Sequence, residues 1–273
     1  MKAWLLALPL VLYLAVFLIY PMGEAVRLAF TDSVSGAFPS LESFRTVADD
    51  DLFWRALLVN LALPAVAVAL EVVAGLGLAL LLAERLPARR LLRAAVLLPF
   101  ALPEIVFLTI LRNVLTPRGY LSGALTALGG APVDVLSPGT AASFASVAFV
   151  DAWRTTPVVF LILLGALVAI PAEIGQAARV DGASAGRRFW HVTLPLLRPA
   201  LVAAILLRGL DALRIFAAPL VLTGVEGVPV LSTYAYHQWA DYGDDGAAAA
   251  ASVVLAVVCV LASVPLLRRR ATA

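Results

Sequence analysis

LLVNLALPAVAVALEVVAGLGLALLLA, residues 57–83, holds one ionisable side chain, Glu71, in an otherwise apolar run. Wound as a helix, such a run reaches about 40 Å, enough to cross a hydrocarbon core of about 30 Å. Its apolar residues are continuous rather than alternating with polar ones. That excludes the short two-faced strands of an outer-membrane barrel. Comparable runs near 4–29, 92–114, 141–169, 200–222 and 246–267 bring the predicted spans to six, and the fold class to an all-α polytopic membrane protein. Pro64, Pro99, Pro103 and Pro157 fall within these runs, which membrane helices tolerate where neighbours satisfy the freed carbonyls.

Composition agrees with this reading. The 273 residues are 62% hydrophobic and 14% charged, with a mean hydropathy of +0.98, well beyond an ordinary soluble domain. Met1-Lys2 and the apolar stretch to Tyr20 have the layout of a signal peptide, but no small-x-small site follows. The stretch is therefore read as an uncleaved first span. Several enzyme classes drop out. Lys2 is the only lysine, so a Walker A phosphate loop is excluded. His191 and His237 are too far apart for a zinc helix motif, and Cys259, a single cysteine, builds neither a disulfide framework nor a cysteine metal cluster. These exclusions leave no enzyme motif and no cofactor site of its own legible in the chain.

Basic residues set the orientation. Lys2, Arg85, Arg89, Arg90, Arg93, Arg179, Arg187, Arg188, Arg198 and Arg268 to Arg270 fall on one side of the predicted spans. Only Arg27, Arg45, Arg55, Arg112 and Arg118 fall on the other. Basic loops stay in the cytoplasm, so both termini are expected there. These loops read as contacts to lipid headgroups, not to nucleic acid. Trp4, Trp54, Trp190 and Trp239 read as anchors at the membrane boundaries.

The cytoplasmic loop between the fourth and fifth spans reads IPAEIGQAARVDGASAGRRFWHVTLP, residues 170–195. Pro171 suits a helix start and Gly182 its end. Ile174, Ala177, Ala178 and Asp181 then share one face, whose two alanines allow a partner's backbone to come close. This loop resembles the "EAA" motif of permeases in binding-protein-dependent ATP-binding-cassette importers. Its longer form, Asp181-Gly182-Ala183, Phe189 and Thr193-Leu194-Pro195, resembles the branch that imports sugars and polyols. Tyr20-Pro21 through Asp32, Asn60, Arg93 to Pro99, Trp153, Ile170-Pro171 and Tyr234 extend the likeness over most of the chain.

The resemblance implies a single permease domain, 1–273, with a type I ABC-importer permease fold in a bacterial or archaeal inner membrane. It implies a coupling loop at 171–195 that docks on a cytoplasmic ATPase through Glu173, Gln176, Ala177, Ala178, Asp181, Gly182, Ala183, Leu194 and Pro195. The implied partners are a second related permease, two copies of the ATPase, which bind the ATP, and an external solute-binding protein. Two departures stand out. Gln176 occupies the usual place of a glutamate, for which Glu173 is one turn away, and Thr223 to Pro229 is looser than the family's Thr-x-Gly-Gly-Pro.

Charges inside the predicted spans must face other helices or water. Asp151 with Arg154, and Asp211 with Arg208 or Arg214, are spaced to neutralise each other on one helix. Glu71 lacks a local partner and is the leading pathway candidate, with Asn60, Trp153 and Phe216 as further candidates for a sugar's polar and aromatic contacts. The rival readings are the same architecture carrying a non-sugar solute, a gradient-driven secondary transporter, and an intramembrane hydrolase, for which no catalytic constellation is present. Reporter tags at residue 2 and after Ala273 are expected to read out in the cytoplasm, and a tag near Asp50 outside. Opposite signals from the two ends would require an odd number of spans and exclude the six-helix arrangement.

Overall fold

The computed structural model describes the backbone of residues 2–33, 35–83 and 88–270, with side chains from residue 8 to 264. Glu84 and Arg85, and the side chains of Lys2, Trp4 and Arg268 to Arg270, lie outside the described residues. Among those described, regular structure is helical throughout: α1 Lys2–Leu14, α2 Tyr20–Ala29, α3 Glu42–Ala48, α4 Asp51–Ala83, α5 Arg89–Ala101, α6 Glu104–Leu115, α7 Tyr120–Ala127, α8 Ala141–Ala169, α9 Ala172–Val180, α10 Ala185–Arg188, α11 Leu194–Ala212, α12 Ala217–Thr223, α13 Leu231–Ala240 and α14 Asp245–Arg270. π-helical turns, Ala15–Ile19 and Phe189–Thr193, join α1 to α2 and α10 to α11.

Five stretches are long and apolar enough to span a membrane: Leu8–Ala29, Asp51–Ala83, Ala141–Ala169, Ala185–Ala212 and Asp245–Val264. A sixth is broken, with Arg89–Ala101 and Glu104–Ala127 meeting at 94°. The span expected at 92–114 is thus two helices with a sharp bend between them. Pro103 has no N–H to continue the ladder, and it pushes Leu102 into an extended conformation (φ −78°, ψ 144°). The fifth span is also displaced from 200–222. Its helix begins at the Ser184 cap and ends at Ala212, where the N–H groups of Arg214 and Ile215 turn back onto Asp211 and Ala212 at 3.1 Å. Hydropathy alone carries the span through that tightened turn; the backbone does not follow. Pro64 and Pro157, by contrast, sit inside unbroken α4 and α8.

The chain forms two compact units, and α4 contributes to each. The first comprises Met1–Asn60 and Pro229–Val264. Its core is Tyr234, Leu231, Phe53 and Val47 against the alanine face Ala247, Ala250 and Ala251 of α14. The Tyr234 hydroxyl donates to Asp50 Oδ2 at 2.8 Å, while Asp50 Oδ1 accepts the Leu52 N–H at 2.8 Å and so caps α4. One carboxylate thus fixes the start of a span and the aromatic centre of the core. Burial, and then the Asp50 bond, push the Tyr234 phenol well above the ordinary tyrosine value.

The second unit is built chiefly of Leu61–Val228, with α5, α11 and α12 packed on α8. Its core gathers Ala79 and Leu82 of α4, Val159, Phe160, Leu163 and Leu164 of α8, and Ala204 of α11. Gly75 sets the contact between α4 and α8. A Cβ there would lie 2.9 Å from Val159 Cγ1 and 3.1 Å from the Phe160 nitrogen, so only glycine lets the two backbones approach this closely.

Gly75→Val is therefore expected to separate α4 from α8 and sharply lower the yield of folded protein, measured by size-exclusion chromatography in detergent. Tyr234→Phe is expected to cost about 1 kcal/mol near neutral pH, the net worth of one buried hydrogen bond. The raised phenol stabilises the fold while protonated. That advantage is complete below the unfolded tyrosine value of about 10 and falls as pH rises above it. Thermal melts of the two proteins should then converge in alkaline buffer.

Candidate functional site

Glu71 stands one turn before Gly75 on α4, and Thr155 one turn before Val159 on α8. The close contact at Gly75 carries this register along both helices, and Thr155 Oγ1 meets Glu71 Oε1 at 2.7 Å. Arg208, one turn beyond the core residue Ala204 on α11, completes the junction. Its Nε–H donates to Glu71 Oε2 at 2.7 Å and its Nη2 to Glu71 Oε1 at 2.9 Å. Two parallel bonds of this kind are the strong, oriented form of a carboxylate–guanidinium pair. Glu71 is fully buried and Arg208 only 4% exposed. The pair spans 137 residues of sequence: Glu71, which lacks a local partner, meets its cation on a distant helix.

Two further acids share the same guanidinium. Asp211 pairs with Arg208 through Nη1, and with Arg214 at 3.6 Å. Asp151, buried on α8, has Oδ2 at 3.7 Å from Arg208 Nη2, too long for a hydrogen bond, and that oxygen has no hydrogen-bond partner in the structure. The expected Asp151–Arg154 pair does not form, because Arg154 points to Glu104 at 3.1 Å instead. Three-residue spacing puts two charges on one face, but here Arg154 takes an acid from another helix instead. Asp211 does pair with both of the arginines considered for it, Arg208 within its own helix and Arg214 in the turn beyond it.

A cavity of about 230 Å³ opens beside this cluster. Its polar lining is Glu104, Asp151, Arg154, Thr155, Arg208, Asp211 and Arg214, and Phe216 contributes an aromatic wall. Of the sequence candidates for a pathway, the structure places Phe216 in this lining and Glu71 behind it, holding Arg208. Trp153 is not part of it. It is 46% exposed and packs edge-on to Phe107 at 5.7 Å. Asn60 belongs to the first unit, fully buried, where its Oδ1 accepts the Leu231 N–H at 3.2 Å at the start of α13. That bond gives it a structural task. Thr155 was missed from sequence because a span threonine usually bonds its own helix, and this one also does so, to Asp151 O at 2.6 Å. Arg208 is one of the charges inside the predicted spans that must face another helix or water, the one signal that pointed to it.

The loop expected to couple forms α9, capped by a Schellman turn. The Ala183 N–H reaches Ala178 O and the Gly182 N–H reaches Arg179 O, each at 3.0 Å, with Gly182 left-handed at φ +76°. α9 carries Glu173, Gln176, Ala177 and Ala178 and ends at Asp181, and none of its residues is buried. The Ile174 and Val180 side chains are exposed, Val180 to 88%. Among the described residues, Glu173, Gln176 and Asp181 hold no side-chain hydrogen bond or ion pair. Leu194 and Pro195 are half-buried in the first turn of α11. Trp54, Trp190 and Trp239 are all exposed.

A family model for the inner membrane component of binding-protein-dependent transport systems matches residues 71–270. This chain belongs to that family. The permease is 37% identical, over 92% of its length and 88% of the relative's, to the trehalose/maltose transport system permease protein MalF of Thermococcus litoralis. It is 38% identical to the trehalose transport system permease protein SugA of Mycobacterium tuberculosis, over 81% of this chain and 73% of that one. The sulfoquinovosyl glycerol transport system permease protein SmoG of Agrobacterium fabrum is 30% identical over 93% of this chain and 85% of its own. The fold is shared with a bacterial alginate ABC transporter crystallised with an alginate-bound periplasmic protein, at a TM-score of 0.83 and 23% identity, covering 96% of this chain and 91% of that one. The permease is thus an inner-membrane transport component with the ABC-importer permease fold.

Arg208→Met alone should leave Glu71 buried without its cation, a loss of about 3–5 kcal/mol. Glu71→Leu combined with Arg208→Met should recover much of the folded yield, because both charges leave together. Detergent melting temperatures of the two variants check this, and equal stability of Arg208→Met and the parent would contradict the role given to the pair.

Proposed function

We propose that this permease translocates a sugar or polyol delivered by an external solute-binding protein, driven by ATP bound on two copies of a cytoplasmic ATPase. A second, related permease would complete the pathway, residues 1–273 act as one permease domain, and both termini face the cytoplasm. The solute class is supported by the trehalose/maltose and trehalose permeases, the relatives at 37% and 38% identity. The cavity beside Arg208 suits such a solute. It offers charged hydrogen-bonding groups and the Phe216 ring, the mixture of polar and aromatic surface that holds sugars.

The observation that carries the coupling role is α9 itself. It is a short helix with a defined end and an alanine pair, and none of its residues is buried by the described part of the chain. Docked in an ATPase cleft, such a helix passes rigid-body motion to the spans on either side. Glu173 and Gln176 would face the ATPase with Ala177, Ala178 and Asp181, while the Gly182-Ala183 turn sets the exit direction toward Leu194 and Pro195.

Uptake of labelled trehalose and maltose into proteoliposomes holding the whole transporter, with its binding protein outside, tests this function. ATP-dependent accumulation of either sugar is the expected result. A binding protein that releases a non-sugar solute would overturn the solute class, and uptake that persists with an inactive ATPase would favour a gradient-driven transporter. Within the loop, Gly182→Val is expected to abolish coupling, because a β-branched side chain is strained at φ +76° although nothing lies within 4 Å of its Cβ. Ala178→Trp should weaken ATPase co-purification by at least tenfold, and Gln176→Glu should preserve or strengthen it. Glu173→Ala should weaken it only if Glu173 supplies the missing charge.

A further inference from the structure

The loop and the buried cluster are mechanically continuous. α8 ends at Ala169, and only Ile170 and Pro171 separate it from α9. On the far side of the loop, one helix runs from Ala185 to Ala212, 28 residues and so about 42 Å, through the π-helical turn at Phe189–Thr193. Arg208 stands near the distal end of that helix, and Asp151 lies on α8. Both spans that flank the loop therefore carry members of the cluster, whereas Glu71 comes from α4, which does not flank it.

The cluster also offers Arg208 two seats. In the present arrangement the guanidinium is bound bidentately by Glu71, with Nη2 2.9 Å from Glu71 Oε1 and 3.7 Å from Asp151 Oδ2. The Asp151 oxygen is buried and takes no hydrogen bond. Closing that gap to a hydrogen-bond length of about 2.9 Å needs a shift below about 1 Å, within the range of small helix displacements between states. Arg154 is held by Glu104 and does not compete for the vacant seat, and Asp211 travels with Arg208 on the same helix.

We infer that Arg208 is a two-position clasp, held by Glu71 on α4 in this conformation and passed to Asp151 on α8 when the helix leading from the 171–195 loop shifts. In this conformation the Glu71 contact is hydrogen-bonded and the Asp151 contact is an ion pair without a hydrogen bond, so the two arrangements differ in which carboxylate takes the Nη2 hydrogen bond. Glu71 and Asp151 are then opposed positioning residues: the first stabilises the present state and the second the alternative. This inference rests on the reading of 171–195 as the coupling loop.

The test uses the whole transporter in proteoliposomes, with ATP hydrolysis read with and without its binding protein and with trehalose as the solute probe. Glu71→Gln weakens the first seat and is expected to raise hydrolysis in the absence of binding protein at least threefold. Asp151→Asn removes the second seat and is expected to lower hydrolysis and uptake driven by the loaded binding protein about tenfold, with an unchanged or higher melting temperature, and Asp151→Glu should restore part of both. Changes in the same direction for the two acids, tracking loss of folded protein, would overturn the clasp in favour of a merely structural cluster. An Asp151→Asn effect confined to the half-saturating trehalose concentration would overturn it in favour of a solute contact. Gly182→Val separates the clasp from the loop reading. If that variant couples normally while Glu71→Gln and Asp151→Asn still act oppositely, the loop assignment fails and the two-seat behaviour of Arg208 stands.

Discussion

A carboxylate inside a membrane span has few ways to exist, and Glu71 takes the most demanding one. It is fully enclosed, so its charge is tolerable only because Arg208 arrives from α11 with two donors and Thr155 from α8 with a third. Together these bonds tie α11 and α8 to α4. Removing a charge from water costs several kcal/mol, and the cost is recovered only when the geometry is good. The second unit is thereby held to one arrangement of α4, α8 and α11. Gly75 is the counterpart of this constraint: without a side chain it lets α4 lie close enough to α8 for the Glu71–Thr155 bond to form.

The first unit solves a smaller problem with the same economy. Asp50 caps α4 and receives the hydroxyl of Tyr234 within an alanine-rich core, so a polar group is buried without being left unsatisfied. Asn60 does the same for the first N–H of α13. Both groups hold helix ends, where backbone donors lack intrahelical partners. The cluster at Arg208 differs in kind. It contains more acid than its cation can satisfy, and one oxygen of Asp151, a residue of the cavity lining, is buried without a hydrogen bond. An over-supplied, partly unsatisfied network costs stability, and in a transport protein it is where two states can be close in free energy.

Much of the fold was legible because a bilayer simplifies the code. Continuous apolar length announces spans, and the runs at 57–83, 141–169 and 246–267 map onto helices with modest shifts at their ends. Where the reading erred, backbone chemistry outweighed hydropathy. Pro103 breaks the third span at a right angle, and a tightened turn after Ala212 ends the fifth. The loop at 171–195 was equally legible, since Pro171, the alanine pair and Gly182 each state a local conformational requirement that the Schellman turn meets.

The partners of the buried charges were not legible, and the reason is distance along the chain. Local spacing suggested Asp151 with Arg154, while the structure gives Arg154 to Glu104 and places Asp151 beside Arg208. By itself the sequence determined that the chain is helical and membrane-spanning, and that one loop ends in a glycine-capped helix. These follow from composition and from the conformational limits of single residues, which act over a few positions. Only the tertiary structure decided which acid meets which cation. That choice depends on how closely α4, α8 and α11 approach one another, and the approach is set by a missing Cβ at Gly75 and by side-chain volumes summed across three helices.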